Sequence, residues 1–125
     1  MSKSNEETMR RFLAFWATRD SGAMADLFAD DGVYDNVPEK KPMVGRDDIR
    51  DWLEMCFQHL TRIDVEILNI ASNGEWVLCE RIDVHVAGDR HMALPVMNAT
   101  RIVDGKFKVF RDYYDRQTVK ELGIA

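Results

Sequence analysis

Long apolar runs are absent from this chain. No stretch approaches the roughly 20 residues that a membrane-spanning helix needs, and Met1–Glu7 is polar, without the apolar segment of a secretory signal. Cysteine is scarce as well. Cys56 and Cys79 are too few for a disulfide framework and lack zinc-ligand spacing. Buried, reduced thiols in a cytoplasmic protein are expected instead, with no metal and no cofactor. Basic charge is not in excess either: 17 Lys and Arg stand against 22 Asp and Glu, a net charge of −5. That balance excludes the electrostatic footprint of a nucleic-acid binder. Internal repeats and low-complexity linkers are missing too. What remains is an ordinary globular composition of 125 residues, 10% of them aromatic. It suits one domain, residues 1–125, with a substantial core and room for a pocket.

The first part of the chain reads as helical. Ser4-Asn5-Glu6-Glu7 has the capping side chain and early acids of a helix start. Met9, Phe12, Leu13, Phe15 and Trp16 then give a broad apolar face as far as about Arg19. Ser21 is placed to cap a short second helix over Gly22–Ala29, with Met24, Leu27 and Phe28 inward. Asp30-Asp31-Gly32 reads as a turn and Val33–Val37 as a short strand running into Pro38. Glu39–Val44 reads as a polar loop whose Lys40-Lys41 tip is solvated. A third helix follows from Gly45 to about Leu60, with Ile49, Trp52, Leu53, Cys56, Phe57 and Leu60 on its inner side.

From Arg62 onward the pattern is β. Strands are expected at Arg62–Ala71, Glu75–Val86, His91–Val103 and Lys106–Tyr114, with turns at Ser72-Asn73-Gly74, Ala87–Arg90 and Asp104-Gly105. Gln117–Leu122 adds a final helical turn. Helices first and a meander of strands after them make the class α+β. A curved sheet with helices across its concave face would form a cone with an open mouth.

Glu75–Val86 is the unusual segment. Val77, Cys79, Arg81, Asp83 and His85 alternate onto one face, while Trp76, Leu78, Ile82, Val84 and Val86 share the other with Glu80. Neither face is plainly a solvent face, which is the pattern of a strand covered on both sides. A guanidinium and a carboxylate would then lie in the interior, where unpaired charge is very costly. Either they carry chemistry, or they form an internal salt bridge or lie on a half-exposed strand. On the last strand Asp112 lies between Phe110 and Tyr114 on one face, with Phe107, Val109, Arg111 and Tyr113 on the other. Leu94, Val96, Asn98 and Thr100 share a face of the preceding strand. Tyr34 and Asn36, two residues apart, point the same way. Singly, Tyr34 reads equally as a core aromatic and Asn36 as a turn former. Together these positions offer two carboxylates, an arginine, a phenol and an amide on elements able to converge.

The set Tyr34-x-Asn36, Arg81-x-Asp83 and the Asp112 of Arg111-Asp112-Tyr113-Tyr114-Asp115, with Gly45-Arg46-x-x-Ile49 between, resembles the limonene-1,2-epoxide hydrolase family. That family lies within the wider SnoaL-like and NTF2-like group of cone-shaped folds, built on a curved, mixed but mostly antiparallel sheet. The resemblance spans nearly the whole chain. It implies one-step addition of water to an epoxide, giving a vicinal diol without a covalent ester. Asp112 would be the general base, Tyr34 and Asn36 would hold the water, Asp83 would be the general acid, and Arg81 would bridge the carboxylates. Met24, Leu27, Leu94, Val96, Phe110 and Tyr114 would line the pocket for a small, hydrophobic, terpene-like epoxide. His85 and Asn98 would add polar contacts there, with a plain rim histidine as the alternative for His85. Rival readings are an isomerase or cyclase of the SnoaL or ketosteroid-isomerase kind, and a non-catalytic binding or dimerisation module. The apolar outer side of the central strand suggests a homodimer, with no nucleic-acid or membrane partner.

Overall fold

The computed structural model describes residues 2–122. Helix α1 spans Ser2–Thr18 and α2 spans Ser21–Asp26; strand β1 spans Phe28–Asn36 and continues into a 3-10 turn at Val37–Glu39. A two-residue strand, β2 (Met43–Val44), precedes α3 (Arg46–His59). The meander follows as β3 (Arg62–Asn73), β4 (Trp76–Ala87), β5 (Arg90–Val103) and β6 (Lys106–Tyr113), with α4 at Arg116–Leu122. The six strands form one curved sheet in the order β2-β1-β6-β5-β4-β3. Every neighbouring pair is antiparallel except β1 with β6, which runs parallel. That one pairing brings the early strand beside the last one.

The core lies between the sheet's inner face and α1 and α3. Met9, Phe12, Leu13 and Trp16 recur at helical spacing on α1 and are all buried. Ile49, Leu53 and Cys56 do the same on α3. Phe12 packs edge-on against Phe28 and Phe107, with centroids 5.8 and 5.1 Å apart, and tilts against Phe110 at 4.9 Å. Arg19, in the left-handed region at φ 60°, ends α1. Its guanidinium donates to the carbonyls of Phe57, Leu60 and Thr61, where the last turn of α3 leaves acceptors unpaired.

Several boundaries differ from the sequence reading, each for a physical reason. The α2 cap is Asp20, whose carboxylate accepts from the Ala23 N–H at 3.0 Å, rather than Ser21. The helix stops at Asp26, because Phe28 already pairs with Phe107 in the sheet. Asp30-Asp31-Gly32 is not a turn between elements but an irregularity inside β1, where the register against β6 shifts between Phe28 and Val33. A matching shift between Arg101 and Ile102 on β5 carries Phe107 into the core instead of the outer face. Met43–Val44 pairs with Tyr34 and Val33, so part of the expected loop is strand. Asp104 and Gly105 turn the β5–β6 hairpin with φ of 51° and 74°, as their residue types favour.

The central strand is covered on one side only. Val77, Cys79, Arg81 and Asp83 face the core, while Leu78 on the other face is 40% exposed. The expectation of cover on both sides therefore fails within this chain. Next to it on the outward face lie Met97 and Tyr113, 43% and 45% exposed, and Tyr113 pairs directly with Met97.

Gly32 is the tight point of β1. A Cβ there would sit 2.8 Å from the Phe107 carbonyl oxygen and 3.0 Å from that of Ala29. Backbone cannot yield as a flexible side chain does. Gly32→Ala is expected to cost ~1–3 kcal/mol, seen as a lowered urea midpoint with an unchanged slope; an unmoved midpoint would show that β1 accommodates the methyl.

Candidate active site

Arg81, near the middle of β4, projects into the interior and is 2% exposed. Its Nε and Nη2 donate to Asp83 Oδ1 and Oδ2 at 2.8 and 3.1 Å. Nη1 and Nη2 donate to Asp112 Oδ1 and Oδ2 at 3.0 and 2.8 Å. One planar guanidinium thus forks onto two carboxylates, which are themselves 8% and 4% exposed. Strand alternation puts Asp83 two residues along the same face, and the sheet brings Asp112 from β6. Asp112 is flanked by Asn36 on β1 and Asn98 on β5, its direct register partners.

Behind Asp112 lies a second layer. Asn98 Nδ2 donates to Asp112 Oδ1 at 2.7 Å, and the Thr100 hydroxyl donates to Asn98 Oδ1 at 2.5 Å. Both residues are fully buried. Every buried side-chain nitrogen and oxygen among the described residues has a hydrogen-bond partner. The network of Arg81, Asp83, Asp112, Asn98 and Thr100 is therefore internally paired, as a stable buried network must be.

The pair of carboxylates opens into a cavity of about 400 Å3. Tyr34, Asn36, Arg81, Asp83 and Asp112 form its buried end. Leu94 and Val96 on β5, with Ile63 on β3, supply apolar wall from the sheet. Trp16 on α1, Trp52, Met55 and Cys56 on α3, and Leu60 just past its end supply it from the opposite side. His85, Tyr114, Met43, Glu39, Lys41 and Val119 complete the lining toward solvent. Of the expected pocket residues, His85, Leu94, Val96 and Tyr114 face this space. Met24, Leu27 and Phe110 do not: they are buried in the packed core, and Phe110 stacks among Phe12, Tyr34 and Phe107. Asn98 likewise lies behind Asp112 rather than on the cavity wall. Periodicity identifies the inward side of each strand or helix, but the packed core and the cavity occupy different stretches of the interior.

The sequence reading passed over the helical wall and the rim. Glu39 accepts from the Tyr114 hydroxyl and from Arg116 Nε, both at 2.9 Å, tying the 3-10 turn to the start of α4. Lys41, read as part of a solvated tip, belongs to the cavity edge. Only an apolar helix face signalled the wall, and nothing local signalled the rim contacts.

The electrostatics favour stable protonation states around the carboxylates. Burial, reinforced by Asp112, holds the Tyr34 phenol well above its ordinary value, so it remains a donor. Burial by itself would lower Arg81, but Asp112 and Asp83 outweigh it and keep the guanidinium charged. Burial pushes the Cys56 and Cys79 thiols up to about 12 and about 11, so neither is a ready nucleophile. Burial first, then Glu39, raises the Tyr114 phenol. Among the described residues no group of three or more His, Cys, Asp or Glu is placed to hold a metal ion.

A family model for the SnoaL-like domain matches residues 9–110. The chain belongs to this family. Its NTF2-like fold is shared by solved structures of low sequence identity. A Mycobacterium tuberculosis LEH-like epoxide hydrolase superposes with a TM-score of 0.85 at 23% identity, covering 97% of this chain and 90% of that one. A Catenulispora acidiphila protein with a ketosteroid isomerase-like fold, solved with trimethylamine, gives 0.84 at 23% identity over 90% and 88%. An NTF2-like protein of unknown function from Burkholderia pseudomallei gives 0.86 at 18% identity over 98% of each chain. A shared frame does not fix a reaction, so the side chains at the buried end of the cavity have to carry any functional reading.

His85 provides a check on the environment at the cavity wall. Burial lowers its imidazole below the ordinary 6.5, and Asp83 opposes that shift without cancelling it, while Arg81 adds to it. The unfolded chain takes up this proton near its ordinary value and the folded chain only at lower pH. Stability therefore falls as pH drops below about 6.5. His85→Gln should flatten that part of a melting-temperature profile measured from pH 7.5 to 5; an unchanged slope would show an imidazole that titrates normally.

Proposed function

We propose that this SnoaL-like protein is an epoxide hydrolase that adds water to a small hydrophobic epoxide in one step. The observation that carries the reading is the bidentate fork of Arg81 onto both Asp83 and Asp112 at the buried end of an apolar cavity. Two carboxylates and one guanidinium sum to one negative charge. Retaining a single proton makes the buried unit neutral, which a low-dielectric site favours. That proton on Asp83 supplies an acid while Asp112 supplies a base, two like groups given different roles by their surroundings.

In the reaction, Asp112 takes a proton from a water held by Tyr34 and Asn36. The water oxygen bonds to one epoxide carbon as that carbon's bond to the ring oxygen breaks, and Asp83 delivers its proton to the departing oxygen. The product is a vicinal diol. Asp112 is left protonated and Asp83 ionised, so one proton passed from Asp112 to Asp83 restores the resting state. Each acid or base contribution is typically ~10²–10⁴-fold. The cavity, about 400 Å3, is at the small end of the ligand-pocket range of ~300–1,000 Å3 and mostly apolar, which suits a compact, terpene-sized cyclic epoxide. An isomerase or cyclase would need a free oxyanion donor. Four N–H bonds of Arg81 are already spent on carboxylates, which counts against that use of the arginine.

The outward sheet face supports a second proposal, a homodimer through β4, β5 and β6. Leu78, Met97 and Tyr113 expose 40–45% of their surfaces there. Around them on the same face, Arg101 and Arg111 are already paired with Glu75 and Asp35, which leaves the apolar side chains as the feature that suits a second copy.

Single turnover of limonene 1,2-oxide, cyclohexene oxide and styrene oxide in ¹⁸O-labelled water, with enzyme in excess, tests the chemistry. Labelled diol in the first turnover is expected; unlabelled diol would mean attack by a carboxylate, and no turnover of any epoxide would overturn the reading. Asp83→Asn and Asp112→Asn are each expected to lose at least ~10²-fold in kcat/KM while remaining folded. Sedimentation at micromolar concentration should show the dimer, and a monomer there would refute it.

A further inference from the structure

Arg81 cannot by itself decide which carboxylate is acid and which is base. It gives two hydrogen bonds to each, at 2.8 and 3.1 Å to Asp83 and at 3.0 and 2.8 Å to Asp112. The arrangement is nearly symmetric. Asn98 breaks it, adding a third donor to Asp112 at 2.7 Å, whereas no side chain other than Arg81 is hydrogen-bonded to Asp83 among the described residues.

We propose that Asn98, locked by Thr100, divides the acid and base roles between the two carboxylates and selects the oxygen of Asp112 that receives the proton. The inference rests on the hydrolase reading above and deepens it. A carboxylate only accepts, so the Asn98 NH2 faces Asp112 and its carbonyl faces away. The Thr100 hydroxyl donates to that carbonyl at 2.5 Å and fixes the amide against rotation. Asn98 and Thr100 are both fully buried, so their bonds are not exchanged for water.

Two consequences follow from counting lone pairs. Oδ1 of Asp112 accepts from both Arg81 Nη1 and Asn98 Nδ2, so both its in-plane positions are filled. Oδ2 accepts only from Arg81 Nη2 and keeps one position open. Water's proton therefore goes to Oδ2. A donor to the ionised form also favours ionisation, so the extra bond holds Asp112 as carboxylate and leaves the shared proton on Asp83. Asn98 is a positioning residue: it does not line the cavity and touches the reaction only through Asp112.

The proton's location can be read without substrate, by carboxyl ¹³C NMR of protein labelled at Asp Cγ, with signals assigned through Asp83→Asn and Asp112→Asn. At pH 7 the wild type should show Asp83 protonated and Asp112 ionised. Asn98→Leu and the near-isosteric Thr100→Val should move the proton toward Asp112, by about tenfold in the partition, while Thr100→Ser, which keeps the hydroxyl, should match the wild type. With a turned-over epoxide, the acidic limb of kcat/KM against pH should rise by about one unit in Thr100→Val and stay in place in Thr100→Ser. A wild-type proton on Asp112, or an unchanged partition in both Thr100→Val and Asn98→Leu, would overturn the assignment. Thr100→Val keeps the test open should Asn98→Leu not fold. Absence of epoxide turnover would count against the hydrolase reading alone, because the NMR partition is measured independently of it.

Discussion

A guanidinium 2% exposed can persist in this interior because two carboxylates meet it edge to edge. Desolvating such a charge costs several kcal/mol even after relaxation, and only near-ideal hydrogen bonding recovers it. Removing Arg81 would leave two buried carboxylates facing each other; removing one carboxylate would leave the arginine half-satisfied. Replacing the group with well-packed apolar side chains is often neutral or better for stability. The interaction is thus a poor way to build a core and a good way to build a site. Neighbouring features adjoin it: burial, with Asp112 adding to it, keeps the Tyr34 phenol a donor, and the amide of Asn98 is directed at Asp112.

The fold separates the burden of stability from that of chemistry. Phe12, Phe28, Phe107 and Phe110 interlock beneath α1, while the carboxylates open into the cavity farther along the same inner surface. The cavity forfeits packing contacts, and the aromatic cluster is where the domain recovers them. Family membership through the SnoaL-like domain sets this frame. Residues 34, 36, 81, 83 and 112 supply the chemical character on which the hydrolase proposal depends.

Much of this was legible from period-two alternation. The pattern around Arg81 and Asp83 gave their inward face, and the same reasoning placed Asp112 and Asn98 inward on β6 and β5. Alternation has no information about depth along a strand, so Phe110 reads as pocket lining yet belongs to the core, and helical periodicity is equally blind to depth for Met24 and Leu27 at α2. It also assumes an unbroken register, and the irregularity near Lys108 sends Phe107 inward against that assumption. The contact of Glu39 with Tyr114 and Arg116 joins a short 3-10 turn to a C-terminal helix. No local propensity encodes such a pairing.

The parallel ladder between β1 and β6 has a consequence for how the protein is made. Arg81 and Asp83 emerge from a ribosome together, and their strand can pair with β3 and then β5 as a growing meander. Asp112 arrives only with β6, and it is β6 that captures Tyr34 and Asn36 on β1 through its register with them. Until that moment the arginine is balanced one to one by its strand neighbour, and the nascent sheet carries a neutral pair. The last strand brings the second carboxylate and with it the surplus negative charge. On the hydrolase proposal, chemistry would be the final property this chain acquires: a polypeptide ending before Asp112 would hold the β3–β4–β5 meander with Arg81 and Asp83 but lack the second carboxylate and the strand that joins β1 to that meander.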